Sequence, residues 1–341
     1  MLTPSSQVVL RNIDLFQSGR WLLVNPTDPS IFTELADSDI AGFHQYYDQY
    51  QLAATASINA NCPQWFGATI DQTGFDGAIV YLPKAKAHLD MLLDNLRDVV
   101  KPGGTIAVVG SNDAGIKSVG KQLNKHFGSS VKHDSARHCA MWCTTSTANV
   151  SPFSIERYLT IQEYDINSHR WPVASLPGVF SHGTLDAGTQ LLLENLPLLQ
   201  GKHALDFACG SGVIGAYIAS RQPTISVTFS DVSALALKAC EHTAAINGMD
   251  ADIVASHGLG SVSKRFDHIV TNPPFHTGVD TDYEITERFI QAVPQHLTAR
   301  GSLTLVANRF LPYPDAIQQY LHRHADLVRS NKFTVYSAAK K

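Results

Sequence analysis

From His203 onward, short apolar runs alternate with amphipathic stretches: HALDFAC, a helix-like segment from about Val213, SVTFSD, another from Ala234, ADIVAS, FDHIVTN, a third from Tyr283, and SLTLVAN. Brief apolar runs punctuated by segments of helical period are the mark of β-α-β units, so this half predicts a mostly parallel sheet with helices on both faces. Its end is different. A helix near residues 314–323 precedes ADLVRSN and KFTVYSA, two runs split by a short polar turn, which predicts a closing antiparallel hairpin.

The first half repeats one phrase of the second. FDGAIVYLPKAKAHLDMLLDNLRDVVKPGGTIAVVG (75–110) mirrors FDHIVTNPPF and the strand after Arg300-Gly301: an FD pair opens a strand, a proline-bearing turn and a helix follow, and a glycine turn leads to another strand. That order is common to α/β folds in general, but the repeated phrase favours a tandem duplication. The early strand WLLVN (21–25) has no glycine-rich loop after it, so the first copy reads as degenerate, without a cofactor site. Polar TTSTANVSPFS (144–154) marks the junction. The expected division is 1–150, a linker over 151–176 containing a strand-like segment at 155–165, and 177–341.

Chemistry concentrates in the second half. Asp206-Phe-Ala-Cys-Gly-Ser-Gly212 lies between a strand and a helix, where residues lacking bulk let the backbone take positive φ and approach a ligand. Nineteen residues beyond Gly212, Asp231 ends the strand SVTFS, where a carboxylate can accept both hydroxyl protons of a ribose. Residues 210–215 also fit the GxGxxG spacing of a dinucleotide site. Against that reading stand Asp206 ahead of the loop and the later Asn272-Pro273-Pro274-Phe275. Proline holds the residue before it extended, so this turn is rigid, and it presents carbonyl oxygens without amide donors of its own. An exocyclic or amide nitrogen conjugated to a π-system is a poor nucleophile. The Asn272 side-chain oxygen and the Pro273 carbonyl can accept its two protons and favour tetrahedral character, with Phe275 stacked on the ring.

The loop resembles the D-x-G-x-G-x-G turn of class I S-adenosyl-L-methionine (SAM)-dependent methyltransferases, a Rossmann-like fold. Ala208 departs from it, standing where the family has its first glycine. The resemblance implies SAM as cofactor, with Asp206 near its amino group, Gly210 and Gly212 beneath it, Asp231 on the ribose and His257 at the adenine edge; an exposed loop histidine is the other reading of His257. Cys209 reads as a small apolar filler. The flanks PGVFS (177–181), LDAG (185–188), NPPFHTG (272–278) and ANRFLPYP (307–314) extend the likeness over the whole second half and are similar to the RsmC family, which methylates guanine N2 in small-subunit ribosomal RNA. That resemblance implies 16S rRNA or the 30S subunit as partner and one guanine, G1207 in that family, as target. It places Phe180, Asp186 and Gly188 beside the cofactor and Asn308 and Tyr313 at the base pocket; core packing is the other reading of Phe180, and a structural role that of Tyr313. A large-subunit guanine-N2 methyltransferase, a protein-glutamine methyltransferase and a non-catalytic RNA-binding scaffold remain as alternatives.

Composition limits the rest. With 44% apolar and 16% charged residues the chain has no uninterrupted apolar stretch of membrane-spanning length, and its N-terminus lacks the pattern of a secretory signal. A cytoplasmic protein is expected. Five scattered cysteines suit a reducing compartment, and His133, His138, Cys139 and Cys143 match no familiar ligand spacing, so no metal is expected. The net charge of −4 leaves RNA binding to a local surface. Residues 80–140 carry nine Lys and Arg against five Asp, and Lys117, Lys121 and Lys125, four apart, would form one stripe on a helix able to meet phosphates. An internal duplicate can cover the face that a dimer would otherwise bury, which favours a monomer.

Overall fold

The computed structural model describes the chain apart from residues 1, 17, 58–61, 150, 275–278, 322 and 341, and apart from the side chains of 279–285, 323 and 324. It divides into two compact units, Met1–Tyr158 and Leu159–Lys341. The first contains α1 (Pro4–Arg11), β1 (Trp21–Val24), α2 (Ile31–Glu34), β2 (Ile40–His44), α3 (Tyr47–Ala56), β3 (Gln64–Phe66), β4 (Phe75–Tyr81), α4 (Lys86–Val99), β5 (Val100–Ser111), α5 (Val119–Phe127), β6 (Val131–Ala136) and β7 (Cys139–Thr145). The second contains β8 (Thr160–Ile166), β9 (His169–Ser175), α6 (Ala187–Asn195), β10 (His203–Phe207), α7 (Val213–Arg221), β11 (Ser226–Asp231), α8 (Ala234–Ile246), β12 (Asp252–Ala255), β13 (Phe266–Thr271), α9 (Val279–His296), β14 (Leu297–Asn308), α10 (Tyr313–Leu321), β15 (Arg323–Arg329) and β16 (Phe333–Ala339).

Each unit holds a seven-stranded sheet, ordered β3-β2-β1-β4-β5-β7-β6 in the first and β12-β11-β10-β13-β14-β16-β15 in the second. The two orders are the same. Five strands are parallel, and the last two close each sheet as an antiparallel pair. Central strands are buried on both faces and therefore read as continuous apolar runs rather than alternating ones. In β4, Ala78 and Val80 enter one core while Ile79 and Tyr81 enter the other, on the opposite face. Full burial of each large aliphatic or aromatic side chain stabilises by roughly 1.5–3 kcal/mol.

The repeated FD phrase has the same structural meaning in both copies. Asp76 accepts the Arg20 N–H at 2.8 Å and Asp267 accepts the Lys202 N–H at 2.9 Å, fixing the turn that feeds β1 and β10. Each turn requires glycine. Gly19 and Gly201 have φ of +80° and +100°, and a Cβ there would lie 2.7 Å from Asp76 and 2.5 Å from Asp267. The register slips at the same point, between Phe75 and Gly77 and between Phe266 and His268. The FD pair is thus a carboxylate latch copied with the fold.

Residues 151–176 are not a structureless connection. They hold a 3-10 turn, Ile155–Tyr158, at the start of the strand expected over 155–165, and then the β8–β9 hairpin, whose first strand supplies the rest of it and whose Trp171 is fully buried 4.9 Å from the Tyr217 ring. Helix α9 begins at Val279, four residues before the expected start. Among the described residues no helix is long and apolar enough to cross a membrane, and no group of three or more His, Cys, Asp or Glu is placed to hold a metal ion.

Candidate functional site

The loop from β10 to α7 turns through three left-handed residues, Ala208 (φ 53°), Gly210 (53°) and Gly212 (79°). A side chain at Gly212 would also collide, since its Cβ would sit 2.9 Å from the Cys240 Sγ. Asp206 and Asp231 tie the loop down. Asp206 is fully buried and its Oδ2 accepts the Gly215 N–H at 2.8 Å, while Asp231 accepts from Gly210 and Ser233, both at 2.9 Å. Burial, with the charge of Asp231 adding, pushes the Asp206 carboxyl well above the usual carboxylate range. Asp231 is raised too, again by burial, against the pull of its backbone donors. Asp206 Oδ1 is buried, and among the described residues it has no partner. A buried carboxyl with one unsatisfied oxygen, beside a half-buried one, suits a cationic ligand, because a cation offsets the desolvation that raises them. Cys209 and Cys240 fill the space below; burial pushes both thiols up, which makes them poor nucleophiles.

Strand β13 lies beside β10, with Phe207 opposite Thr271, so Asn272 emerges next to the start of this loop. Its amide donates to Asp186 Oδ2 and to Thr189 Oγ1, both at 2.9 Å. A carboxylate can only accept, so the NH2 end must point to Asp186 and the carbonyl oxygen must point away. Among the described residues none donates to that oxygen. Asp186 is the N-cap of α6, accepting the Thr189 N–H at 2.9 Å. One carboxylate therefore starts the helix and orients the amide. Gly188 is needed for the close fit, since a Cβ there would lie 3.0 Å from Asp186 Oδ2 and 3.4 Å from the Phe333 ring. Pro273 is buried and Pro274 exposed; Phe275 lies outside the described residues.

Two family models match the chain, the methyltransferase small domain over residues 170–337 and its N-terminal companion over 6–162. Ribosomal RNA small subunit methyltransferase C of Pseudoalteromonas atlantica is 45% identical over 98% of this chain and 99% of its own length. The chain belongs to the RsmC family. A member from Vibrio vulnificus is 38% identical over 99% of both chains. The solved structure of the T. thermophilus 16S rRNA N2 G1207 methyltransferase (RsmC), in complex with AdoMet and guanosine, superposes with a TM-score of 0.81 at 19% identity, covering 99% of this chain and 92% of that one. The fold is the duplicated, Rossmann-like methyltransferase fold, and its two copies differ at the ends of the matching strands. Strand register sets Leu23, His44 and Tyr81 where the RsmC catalytic unit has Asp206, Asp231 and Asn272. Leu23 and His44 are buried, and Tyr81 bonds to Ser6 at 2.9 Å. None of these three matching positions in the first unit holds a carboxylate.

Other residues expected from the RsmC resemblance fall less neatly. Phe180 is 55% exposed, and Asn308 ends β14 with a buried Oδ1 that has no partner among the described residues. His257 is exposed in the turn after β12, where Ser256, the residue before it, donates its N–H to the Asp231 carbonyl at 2.9 Å. Tyr313 takes the structural reading: it is 1% exposed, packed in the core as the first residue of α10, and its hydroxyl accepts from Thr286 at 3.2 Å. The lysine stripe is also broken. Lys117 lies on a 3-10 turn, Ile116–Ser118, so only Lys121 and Lys125 share α5, and Lys125 sits 3.8 Å from Asp90. Sequence reasoning missed Thr189; its signal was the third place after an Asp N-cap in DAGT.

Proposed function

We propose that this chain transfers a methyl group from SAM to the exocyclic N2 of G1207 in 16S ribosomal RNA. The observation that carries this reading is the Asn272 amide, locked by Asp186 and Thr189 with its oxygen unengaged beside the cofactor loop. SAM, when bound, supplies a methyl already attached to a good leaving group. The chain has to position and to redirect a lone pair. In this reading Asp206 takes the ammonium on its unsatisfied oxygen, and Asp231 accepts from ribose hydroxyls while holding Gly210. The target base must leave its stack to reach the sheet edge. There the Asn272 Oδ1 and the Pro273 carbonyl accept the two N–H protons of the 2-amino group, drawing nitrogen towards a tetrahedral arrangement with its lone pair facing the methyl. No strong base is needed, because the proton can leave after the methyl is in place. Phe310, 79% exposed just beyond Asn308, offers a ring on which a base can stack.

The first unit, having no cofactor groups, serves in this reading to dock RNA, and the working species is a cytoplasmic monomer. The test is to incubate the chain with labelled SAM and naked 16S rRNA, 30S particles or 50S particles, and to map the modified nucleotide. N2-methylguanosine at G1207 in a small-subunit substrate is the expected result. Label in 50S alone would favour the large-subunit alternative, and label in protein the glutamine one.

A further inference from the structure

The first unit contains a groove of about 390 Å³ between the β6–β7 hairpin, the end of β5 and the turn Ile116–Ser118. Lys117, Lys132, Arg137 and His138 line it and are exposed. Among the described residues Lys117, Lys132 and Arg137 have no ion-pair partner, whereas Arg11, Lys101, Lys125 and Arg157 of the same unit sit against Asp134, Asp76, Asp90 and Asp94. A β-bulge sorts the charges. Lys132 pairs with Trp142 and Asp134 with Met141, so His133 is the extra residue, and it turns Asp134 to the face where Arg11 and Asn12 hold it. Asp113, exposed beside Asn112, is the carboxylate left near the rim.

Two further features point to an anionic, acceptor-rich occupant. Trp142 lines the groove, its ring fixed against Gly120, and its buried Nε1–H has no acceptor among the described residues. Arg137 and His138 both adopt left-handed backbone conformations, φ 51° and 59°, in a turn that asparagine and glycine fill at far less strain. The turn is pinned to β5 by the Asn112 N–H on the His138 carbonyl at 2.8 Å. Strain kept at a rim of cations is explained if the side chains matter more than the turn. We propose that this groove is the docking site for the sugar–phosphate backbone of the substrate RNA, with Lys132 and Arg137 as its main phosphate contacts and the Trp142 N–H donating to an RNA oxygen. It rests on the reading that the substrate is RNA, and it replaces the lysine stripe as the RNA contact of this unit.

The experiment uses the full chain and the small-subunit substrate found by mapping, measuring binding across a salt series together with kcat and KM. Lys132→Gln with Arg137→Gln should weaken RNA binding and raise KM at least tenfold, and should flatten the slope of log K against log salt by roughly 0.7–0.9 for each phosphate that is no longer neutralised. Saturating kcat, SAM affinity and the melting temperature should hold. Trp142→Phe should raise KM severalfold and leave the salt slope as it was. Removing the same charge at ion-paired positions, Lys101→Gln with Lys238→Gln, should change nothing. If the groove pair keeps wild-type KM and slope, or if the control pair loses as much, the site is overturned. Methylation of G1207 by the wild type would leave the catalytic reading standing in either case.

Discussion

Replacing Asp206 by Asn should separate cofactor binding from folding, in opposite directions. Its Oδ2 holds the Gly215 N–H, and its buried Oδ1 has no partner among the described residues. The amide must keep its oxygen on Gly215, so its NH2 takes the place of the empty acceptor. A charge-assisted hydrogen bond to the cofactor ammonium, worth about 1.5–3 kcal/mol, is lost, and a donor now faces a cation. A total of about 3 kcal/mol corresponds to roughly 150-fold weaker SAM binding, measurable by calorimetry. Stability should move the other way. Burial raises the folded-state pKa of Asp206 above its unfolded value, so the ligand-free wild type loses stability as pH climbs from the ordinary carboxylate range through that raised value. The variant does not titrate there, so its melting temperature relative to wild type should increase as the pH rises above about 4, the ordinary carboxylate value. SAM binding weakened less than tenfold, or a stability difference independent of pH, would refute the reasoning.

Asp186→Ala removes both the α6 N-cap and the charged anchor of Asn272. About 1 kcal/mol of stability and about tenfold in kcat should go, whereas Asp186→Asn, which keeps an acceptor oxygen, should retain most of both; equal losses in melting and turnover assays would contradict the double role. Ala208→Gly relieves a left-handed alanine, a strain of about 1–2 kcal/mol, against the lost methyl packing and the added chain entropy. The melting temperature should hold or rise, and a loss beyond about 1 kcal/mol would argue against strain there. Tyr313→Phe should lower stability by about 1 kcal/mol and leave the KM for RNA unchanged, and the reverse pattern would return Tyr313 to the base pocket.

Local patterns made most of the fold legible before any coordinates. The β-α alternation gave the parallel strands, the split polar turn gave the closing hairpin, and the FD phrase exposed the duplication because its aspartate does the same local task twice. What the sequence hid depends on contacts distant along the chain. Asn272 looked like a lone acceptor, but its orientation is set by Asp186 and Thr189, more than eighty residues earlier. Spacing of four put three lysines on one helix, yet Gly115, with φ of +90°, opens a 3-10 turn that holds Lys117 outside α5. Tyr313 follows an exposed Phe310 in a turn, and periodicity does not reveal that α10 begins there and faces it inward.

Single-turnover methylation by Asn272→Ala tests the central claim most directly, because it removes the oriented amide oxygen while leaving Asp206, Asp231 and the cofactor loop in place. With protein that melts normally and binds SAM within a few-fold of wild type, methyl transfer to the mapped guanine should slow by roughly 100- to 1,000-fold, as for loss of one preorganised partner of the reacting group. A rate within threefold of wild type would mean that the amine is activated by something other than Asn272.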